Sequence, residues 1–104
     1  MARFRANKGG GGGTISVSKT EFTAQSSVTV NCNIGDVINI MVKRSGSAGV
    51  AWNGSRPAQS PDFVNQQAWD TYYIQNVFRA SQTSNTYAID SGTITGNFII
   101  MSVS

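Results

Sequence analysis

The sequence predicts an all-β protein: a single antiparallel β-sandwich or jelly-roll-like domain that follows a flexible, glycine-rich N-terminal arm. Apolar and polar residues alternate with a period of two from Thr14 onward, which is typical of half-buried strands. Turn residues recur about every eight to twelve positions, as they do in sandwiches and jelly rolls. Only 12% of the 104 residues are charged, whereas helical bundles usually have highly charged surfaces. We therefore expect one domain of about seven or eight strands.

The first thirteen residues, MARFRANKGGGGG, form the predicted arm. The glycine run at 9–13 loses much conformational entropy when it is ordered, so we expect it to act as a flexible linker. The peptide before it is basic and aromatic. It is either a tethered peptide that docks on a partner or a neighbouring subunit, or a terminus without a role. The predicted boundary separates the arm, 1–13, from the β-sandwich domain, 14–104. The candidate docking residues are Arg3, Phe4, Arg5 and Lys8.

The first strands are predicted at 14–24 and 27–33. Alternation in the first segment is interrupted at Lys19 and Thr20, whereas the second segment alternates cleanly. The last apolar position of the second segment is Cys32, which we predict to be a small buried residue rather than a reactive thiol. Because the chain has one cysteine, an intramolecular disulfide is excluded.

A hairpin is predicted around Gly35 and Asp36. Both residue types favour turns, and the segment that follows, 37–43, has apolar residues on both faces. Such a strand is expected to be covered on both sides. The segments 27–33 and 37–43 are therefore predicted to pair in antiparallel fashion.

The middle of the chain is the least regular part of the predicted domain. A short strand at 50–52 ends at an Asn-Gly turn, and both prolines lie within 55–62. Residues 63–69 are predicted to form a loop with a short helix, because Asp62 is a suitable N-cap.

Three strands are predicted in the last third of the chain, at 70–79, 86–89 and 93–103. The final strand has apolar residues on both faces. We therefore expect it to be central in a sheet or packed against a neighbouring subunit. The candidate residues for a subunit interface are Ile99, Met101 and Val103.

The sequence contains no recognisable catalytic or metal-binding constellation. It has no histidine, which is the usual general base, and only one cysteine, so neither a triad nor a structural zinc site is expected. The carboxylates are scattered, mostly at turns, and no phosphate-cradling motif is present. We therefore predict a protein that is not an enzyme and that uses no metal and no cofactor.

Net charge and hydropathy argue against two classes of partner, nucleic acids and membranes. The net charge is +3, and the basic residues of the arm account for this excess, so no specific nucleic acid is expected as a partner. No segment approaches the roughly 20 apolar residues that cross a bilayer, so no membrane insertion is expected. No secretory signal is visible, and we expect synthesis in the cytoplasm without an export signal.

Aromatic residues cluster around the irregular middle of the chain, where asparagine and glutamine are frequent. Aromatic rings stack on the apolar faces of sugars and amides bind hydroxyls, so the cluster is a candidate site for a glycan or receptor. The alternative is that these rings fill the core of a small sandwich or a subunit interface. The candidate aromatics are Trp52, Trp69, Tyr72 and Tyr73, with the amides of Asn53, Asn65, Gln66 and Gln67 and the carboxylate of Asp70 nearby.

Three segments resemble parts of known proteins. The opening MARFRANKGGGGG resembles small virion proteins of tailed bacteriophages. The segments NCNIGDVINIMV and GTITGNFIIMSVS resemble the short β-sandwich modules of phage head-decoration, head-fibre and tail-fibre proteins. The resemblance implies a non-enzymatic homo-oligomer, trimeric or of higher order, whose arm anchors it to other virion proteins. It also implies a location in the virion after synthesis in the host cytoplasm.

Two function hypotheses remain open. The first is a virion assembly protein, either a capsid decoration protein or a fibre- or tail-associated subunit. Its arm would dock on the particle and its last strand would contact neighbouring copies. The second is a carbohydrate-binding or receptor-binding module that uses the aromatic middle of the chain.

Overall fold

Eight β-strands and one short 3-10 helix form the regular structure of residues 14–103, the part of the chain that the computed structural model describes. The strands are β1 Ile15–Gln25, β2 Ser27–Asn31, β3 Val37–Arg44, β4 Val50–Trp52, β5 Phe63–Ala68, β6 Tyr73–Arg79, β7 Ser84–Ile89 and β8 Ile94–Val103. The 3-10 helix, Pro57–Gln59, lies between β4 and β5. The predicted arm and its candidate docking residues lie outside the described residues.

All strand pairs are antiparallel and form two sheets. The larger sheet has the order β1-β8-β3-β6-β5, and the smaller one has the order β2-β7-β4. The pairing is nested: the first strand pairs with the eighth, the second with the seventh and the third with the sixth, as in a jelly roll. β5 pairs with β6 and not with β4, which leaves these two strands apart. The predicted β-sandwich is confirmed, and β8 is central as predicted, between β1 and β3.

The core lies between the facing sides of the two sheets. Trp52 of the smaller sheet stacks on Phe78 of the larger one, with ring centroids 4.3 Å apart, and Tyr87 meets Phe78 edge-on at 6.4 Å. All three rings are fully buried. Aliphatic side chains of β2, β3, β6 and β8 complete the core; those below 5% exposure are Val30, Ile38, Ile40, Val42, Ile74 and Ile94.

Buried polar groups of the core are paired with one another. The Tyr87 hydroxyl donates to Asn76 Oδ1 at 2.7 Å, and Asn76 Nδ2 donates to Gln66 Oε1 at 2.9 Å. The Trp52 indole N–H donates to Asp62 Oδ2 at 2.9 Å. Burial raises the pKa of Tyr87 far above its ordinary value of 10.0. These bonds satisfy groups that would be costly to bury alone, and they fix the orientation of the aromatic rings.

The predicted hairpin of β2 and β3 is wrong. β2 pairs with β7, whereas β3 lies between β6 and β8, so the two strands belong to different sheets. The turn itself is present: Gly35 has φ +95°, and Asp36 Oδ2 accepts a hydrogen bond from the Asn33 N–H at 2.8 Å. Glycine and aspartate favour a turn both in a hairpin and in a connection between two sheets. They determine that the chain reverses locally, but not which strand the next segment pairs with.

Three other boundaries differ from the sequence prediction. Residues 63–68 form strand β5 rather than a loop with a helix, and Asp62 caps no helix but accepts the Trp52 indole N–H. β5 is an edge strand with three consecutive polar residues, Asn65, Gln66 and Gln67, and with all residues but Phe63 exposed, so it lacks the alternation that predicts a strand. β1 continues through Lys19 and Thr20, and β6 begins at Tyr73 rather than at residue 70. Cys32 is half-buried and packs against the core, as its alternation predicts.

Candidate functional site: the outer face of the five-stranded sheet

The five-stranded sheet has one covered face and one open face. On β3 the side chains of Ile38, Ile40 and Val42 point into the core and are at most 1% exposed, whereas Met41 on the opposite face is 41% exposed. Side chains alternate between the two faces along each strand. The register therefore identifies every residue on the open side, which we call the outer face.

One half of the outer face is apolar. Strand register places Val17, Met101 and Val37 side by side on β1, β8 and β3, and it places Ile15 beside Val103 in the next row. Val17 is 59% exposed and Val103 is 63% exposed, although both are large aliphatic residues. We call this surface the apolar patch; it consists of Ile15, Val17, Val37, Met41, Val77, Ile99, Met101 and Val103.

Charged side chains lie at the margin of the apolar patch. On the edge strand β1, Lys19 and Glu21 form an ion pair with 3.4 Å between Nζ and Oε2. Arg79, beside Val37 in the register, closes the patch on the β6 side. Because both groups of the Lys19–Glu21 pair are well exposed, this pair adds little to folding stability. It instead gives the patch a border with charges of both signs.

The rest of the outer face combines amides with aromatic rings, and its residues interleave with the apolar patch at Asn39 and Met41. Gln75 Nε2 donates to Asn39 Oδ1 at 2.7 Å across β6 and β3. Lys43 Nζ lies 5.9 Å from the centroid of the Tyr73 ring, within reach of a cation–π contact. We call this surface the amide–aromatic strip; it consists of Asn39, Lys43, Asn65, Gln67, Trp69, Tyr73, Gln75 and Asn97.

A tight turn positions the two rings of this strip. Asp70 Oδ1 accepts hydrogen bonds from the N–H groups of Tyr72 at 2.7 Å and Tyr73 at 2.9 Å. Both hydrogen bonds lower the pKa of Asp70, and the bond from Tyr73 has the larger effect. The Trp69 N–H donates to the Tyr73 carbonyl, which extends the β5–β6 pairing by one residue. Trp69 therefore falls on the same face as Gln67 and Tyr73.

The structure separates the four aromatics that the sequence grouped. Trp52 is fully buried, stacked on Phe78 and bonded to Asp62, so of the two alternatives predicted for these aromatics it follows the second and fills the core. Trp69 and Tyr73 lie together on the outer face, 55% and 46% exposed. Tyr72 is 46% exposed, but its carbonyl pairs with the N–H of Arg44, an inward-facing residue, so alternation directs it away from Tyr73.

The structure also separates the asparagine and glutamine residues that the sequence grouped with these aromatics: some lie on the outer face and others do not. Asn65 and Gln67 lie on the outer face, whereas Gln66 turns inward to Asn76. Asn53 bonds to the β7 residues Asn85 and Thr86 and is not part of the strip. The candidate interface residues of β8, Ile99, Met101 and Val103, all lie on the outer face.

Sequence reasoning missed the residues that other strands add to the outer face. Asn39 and Gln75 are 36 positions apart and meet only through the β3–β6 pairing. Val17 and Val37 join Met101 through two further strand pairs. The alternation in each strand was visible, but it shows which residues share a face and not which face stays open.

The acidic groups of the described chain mostly serve structure. Asp36 and Asp62 are buried and hydrogen-bonded, and Asp90 pairs with Arg56. Within residues 14–103, no three His, Cys, Asp or Glu side chains converge as a metal site would require. The outer face offers exposed rings for stacking, amides for hydrogen bonds and apolar side chains for contact. These features are typical of a binding surface.

Comparison of the chain with protein-family models, curated protein sequences and solved structures gave no match. Between residues 14 and 103, no helix has the length and apolar character needed to span a membrane. The function of the chain is therefore inferred from the chemistry of its own surface.

Proposed function

We propose that the chain is a non-enzymatic assembly protein whose copies join through the apolar patch of the outer face. The observation that carries this proposal is that four neighbouring strands, β1, β8, β3 and β6, place apolar side chains on the same open face, with an unbroken row at Val17, Met101 and Val37. Soluble monomers rarely expose contiguous apolar surfaces of more than a few hundred Å², and larger ones usually mark interfaces.

The dimensions of the patch fit the centre of a subunit contact. Four strands spaced about 4.8 Å apart, and four rows spaced about 6.8 Å along the strands, span about 14 by 20 Å, on the order of 300 Å². The eight apolar residues occupy about half of this area, and polar or charged residues such as Asn39, Asn97 and Gln75 occupy much of the rest. A standard interface covers about 800 Å² per partner and has an apolar centre within a polar rim. The surrounding amides and charges supply that rim.

A second copy of the chain is the occupant that suits this surface best. An interface between identical subunits requires a surface that is complementary to itself or to another part of the same molecule. The patch is flat and apolar, and its border carries both signs of charge at Lys19, Glu21 and Arg79. In a trimer or larger ring, the patch of one copy packs against a different surface of the next copy, because two identical patches that stack on each other close as a dimer.

The resemblance to virion proteins extends this proposal. It supports a closed assembly, trimeric or of higher order, as part of a phage particle. Under this proposal the apolar patch joins the copies, and the N-terminal arm attaches the assembly to other virion proteins. Deletion of residues 1–13 is then expected to leave the oligomer intact and to abolish its attachment to the particle.

The test of self-association is the mass in solution, measured by light scattering after size exclusion. The wild-type chain is expected to form a defined oligomer. The double variant Val17→Lys, Met101→Lys is expected to be a folded monomer, because two charges would have to be desolvated in the contact. Thr29→Lys, on an exposed position of the smaller sheet, is the matched control and should not change the mass. A wild-type monomer at all concentrations, or an oligomer that survives both lysines, would overturn the proposal.

A second function is favoured by the amide–aromatic strip, namely glycan binding. Trp69 and Tyr73 expose two rings beside Gln67 and Gln75 on a flat surface, so that stacking and hydroxyl recognition are available together. A glycan array with the wild-type chain tests this function. Trp69→Ala and Tyr73→Ala should abolish binding, whereas Tyr72→Ala, equally exposed but directed away from the strip, should not. An array without hits would contradict it.

A further inference from the structure

A cleft opens between the two sheets where β4 and β5 fail to pair. Its volume is about 280 Å³. Because β5 stays with β6, its inward residue Ala68 lines one wall, beside Ile74 of β6. The 3-10 helix contributes Pro57 and Ala58 to the facing wall. The cleft lies on the inner side of the larger sheet and is separate from the outer face.

Two arginines line this cleft, and their charges are compensated differently. Arg56 forms an ion pair with Asp90, and its Nη1 donates to the Val50 carbonyl at 3.0 Å. Among residues 14–103, Arg44 has no carboxylate within ion-pair distance. Asp70, the acidic residue of the nearby turn, directs Oδ1 to backbone N–H groups. Arg44 therefore brings to the cleft a positive charge that the nearby Asp70 compensates only from beyond ion-pair distance.

The guanidinium of Arg44 is held in place by backbone carbonyls. Nη1 donates to the Ala48 carbonyl at 2.8 Å, and Nη2 donates to the Thr71 carbonyl. Its Nε is buried and has no hydrogen-bond partner among the described residues. Nη1 also donates to the Ser47 carbonyl at 3.4 Å, so both of its N–H groups are used, whereas Nη2 has a second N–H beyond its bond to Thr71. That N–H is the donor available to an anion in the cleft.

We propose that this cleft is a binding site for a small monocarboxylate whose carboxylate is held by Arg44. Guanidinium groups bind carboxylates with charge-assisted hydrogen bonds of matching geometry. The walls formed by Pro57, Ala58, Ala68 and Ile74 are apolar and suit the compact body of such a molecule. A volume of about 280 Å³ is close to the lower end of the range of small-molecule sites, about 300–1,000 Å³, so a single ring with its carboxylate is a suitable size.

The carboxylate could be carried by an apolar ring or by a sugar ring, and two pairs of probes distinguish these sources. Cyclohexanecarboxylate is compared with cyclohexanecarboxamide, and glucuronate with glucuronamide, because each amide keeps the shape and removes the charge. Binding is followed by amide chemical shifts of the full-length ¹⁵N-labelled chain. We expect one acid to bind with a Kd in the millimolar range or below, at least about tenfold tighter than its amide. Shifts are expected at Gly49, Ala68 and Ile74, which line the cleft.

Variants test the role of the cleft itself. Arg44→Gln removes the charge, and Arg79→Gln removes the same type of charge from the outer face, away from the cleft. Ala58→Leu fills the cleft without altering Arg44, and Gln59→Leu places the same side chain next to it but outside the lining. We expect Arg44→Gln and Ala58→Leu to weaken binding at least about tenfold and both controls to bind as the wild type does.

The outcomes decide the proposal. Binding of either acid that both cleft variants weaken supports it, and the acid that binds identifies the ring. If Arg44→Gln does not fold, Ala58→Leu decides alone. Failure of both acids to saturate, equal binding of acid and amide, or undiminished binding by a folded cleft variant would each overturn it. Because Ala58→Leu changes the cleft and leaves the outer face intact, its effect on glucuronate separates binding in the cleft from binding at the amide–aromatic strip.

Discussion

Replacement of Tyr87 by phenylalanine measures how much the buried hydrogen-bond chain stabilises the fold. The ring is fully buried, and its edge contact with Phe78 survives the substitution. The lost hydroxyl donates to Asn76 Oδ1 at 2.7 Å, and Asn76 is also fully buried. The variant therefore leaves a buried acceptor without this donor. We expect a loss of about 1–3 kcal/mol in the free energy of unfolding.

Urea and thermal unfolding provide the assay for Tyr87→Phe. For a domain of this size, each kcal/mol should lower the Tm by about 4–8 °C. Tyr73→Phe is the matched control, because that ring is 46% exposed, and its effect should stay within about 0.5 kcal/mol. Equal unfolding free energies for the two variants would refute the assignment of stability to this bond.

The same variant makes a prediction about alkaline pH. Burial raises the pKa of Tyr87 in the folded state, whereas an unfolded tyrosine titrates near 10.0. The neutral hydroxyl thus contributes stability that is fully present below about pH 10 and is lost as the pH rises further, by up to about 1.4 kcal/mol per pH unit. Phenylalanine has no such dependence. The stability difference between wild type and Tyr87→Phe should therefore shrink above pH 10, and a difference that stays constant would contradict the burial argument.

Three further predictions concern packing and reactivity. Trp52→Ala should cost about 3–5 kcal/mol in urea unfolding, because it removes a buried ring stacked on Phe78; a loss below about 1 kcal/mol would show that the stack is dispensable. Gly96→Ala should destabilise the fold more than Gly46→Ala, since a Cβ at Gly96 would lie 2.1 Å from a backbone oxygen and one at Gly46 meets nothing within 4 Å; calorimetry of both variants compares them. The Cys32 thiol, whose pKa is raised by burial, should react slowly with a disulfide reagent at pH 8 and faster in urea; equal rates would contradict its packing against the core.

Local alternation was sufficient to predict the β-class, the central position of β8 and the shared face of Ile99 and Met101. Those features depend on residues two apart in sequence, where the period of a strand applies directly. The pairing of β2 with β7, rather than with β3, depends on contacts between residues some 50 to 60 positions apart. No local signal at Gly35 distinguishes a corner between sheets from a hairpin.

In the candidate site, too, some residues could be predicted from local sequence, and the others depend on contacts between distant strands. Trp69 and Tyr73 were recognised because aromatic residues near amides are conspicuous in a sequence. Trp52 was grouped with them because composition does not reveal burial, which arises only when β4 packs against Phe78 of β6. β5 was missed because an edge strand with one neighbour tolerates polar residues on both faces. The cleft, too, arises from the absence of β4–β5 pairing, and no sequence pattern encodes an absent strand pair.

The nested strand order has a consequence for how the chain acquires its structure. β1 pairs with β8 along nearly its whole length, and the paired residues Lys19 and Ile99 are 80 positions apart. Most of the larger sheet therefore forms through loop closures of high entropic cost, and such topologies fold in milliseconds to seconds rather than microseconds. During synthesis β1 has no partner until β8 leaves the ribosome. For that interval its backbone N–H and C=O groups lack strand partners and Phe22, which packs against the core in the folded chain, stays exposed. The nascent chain is therefore more prone to aggregation than the finished fold.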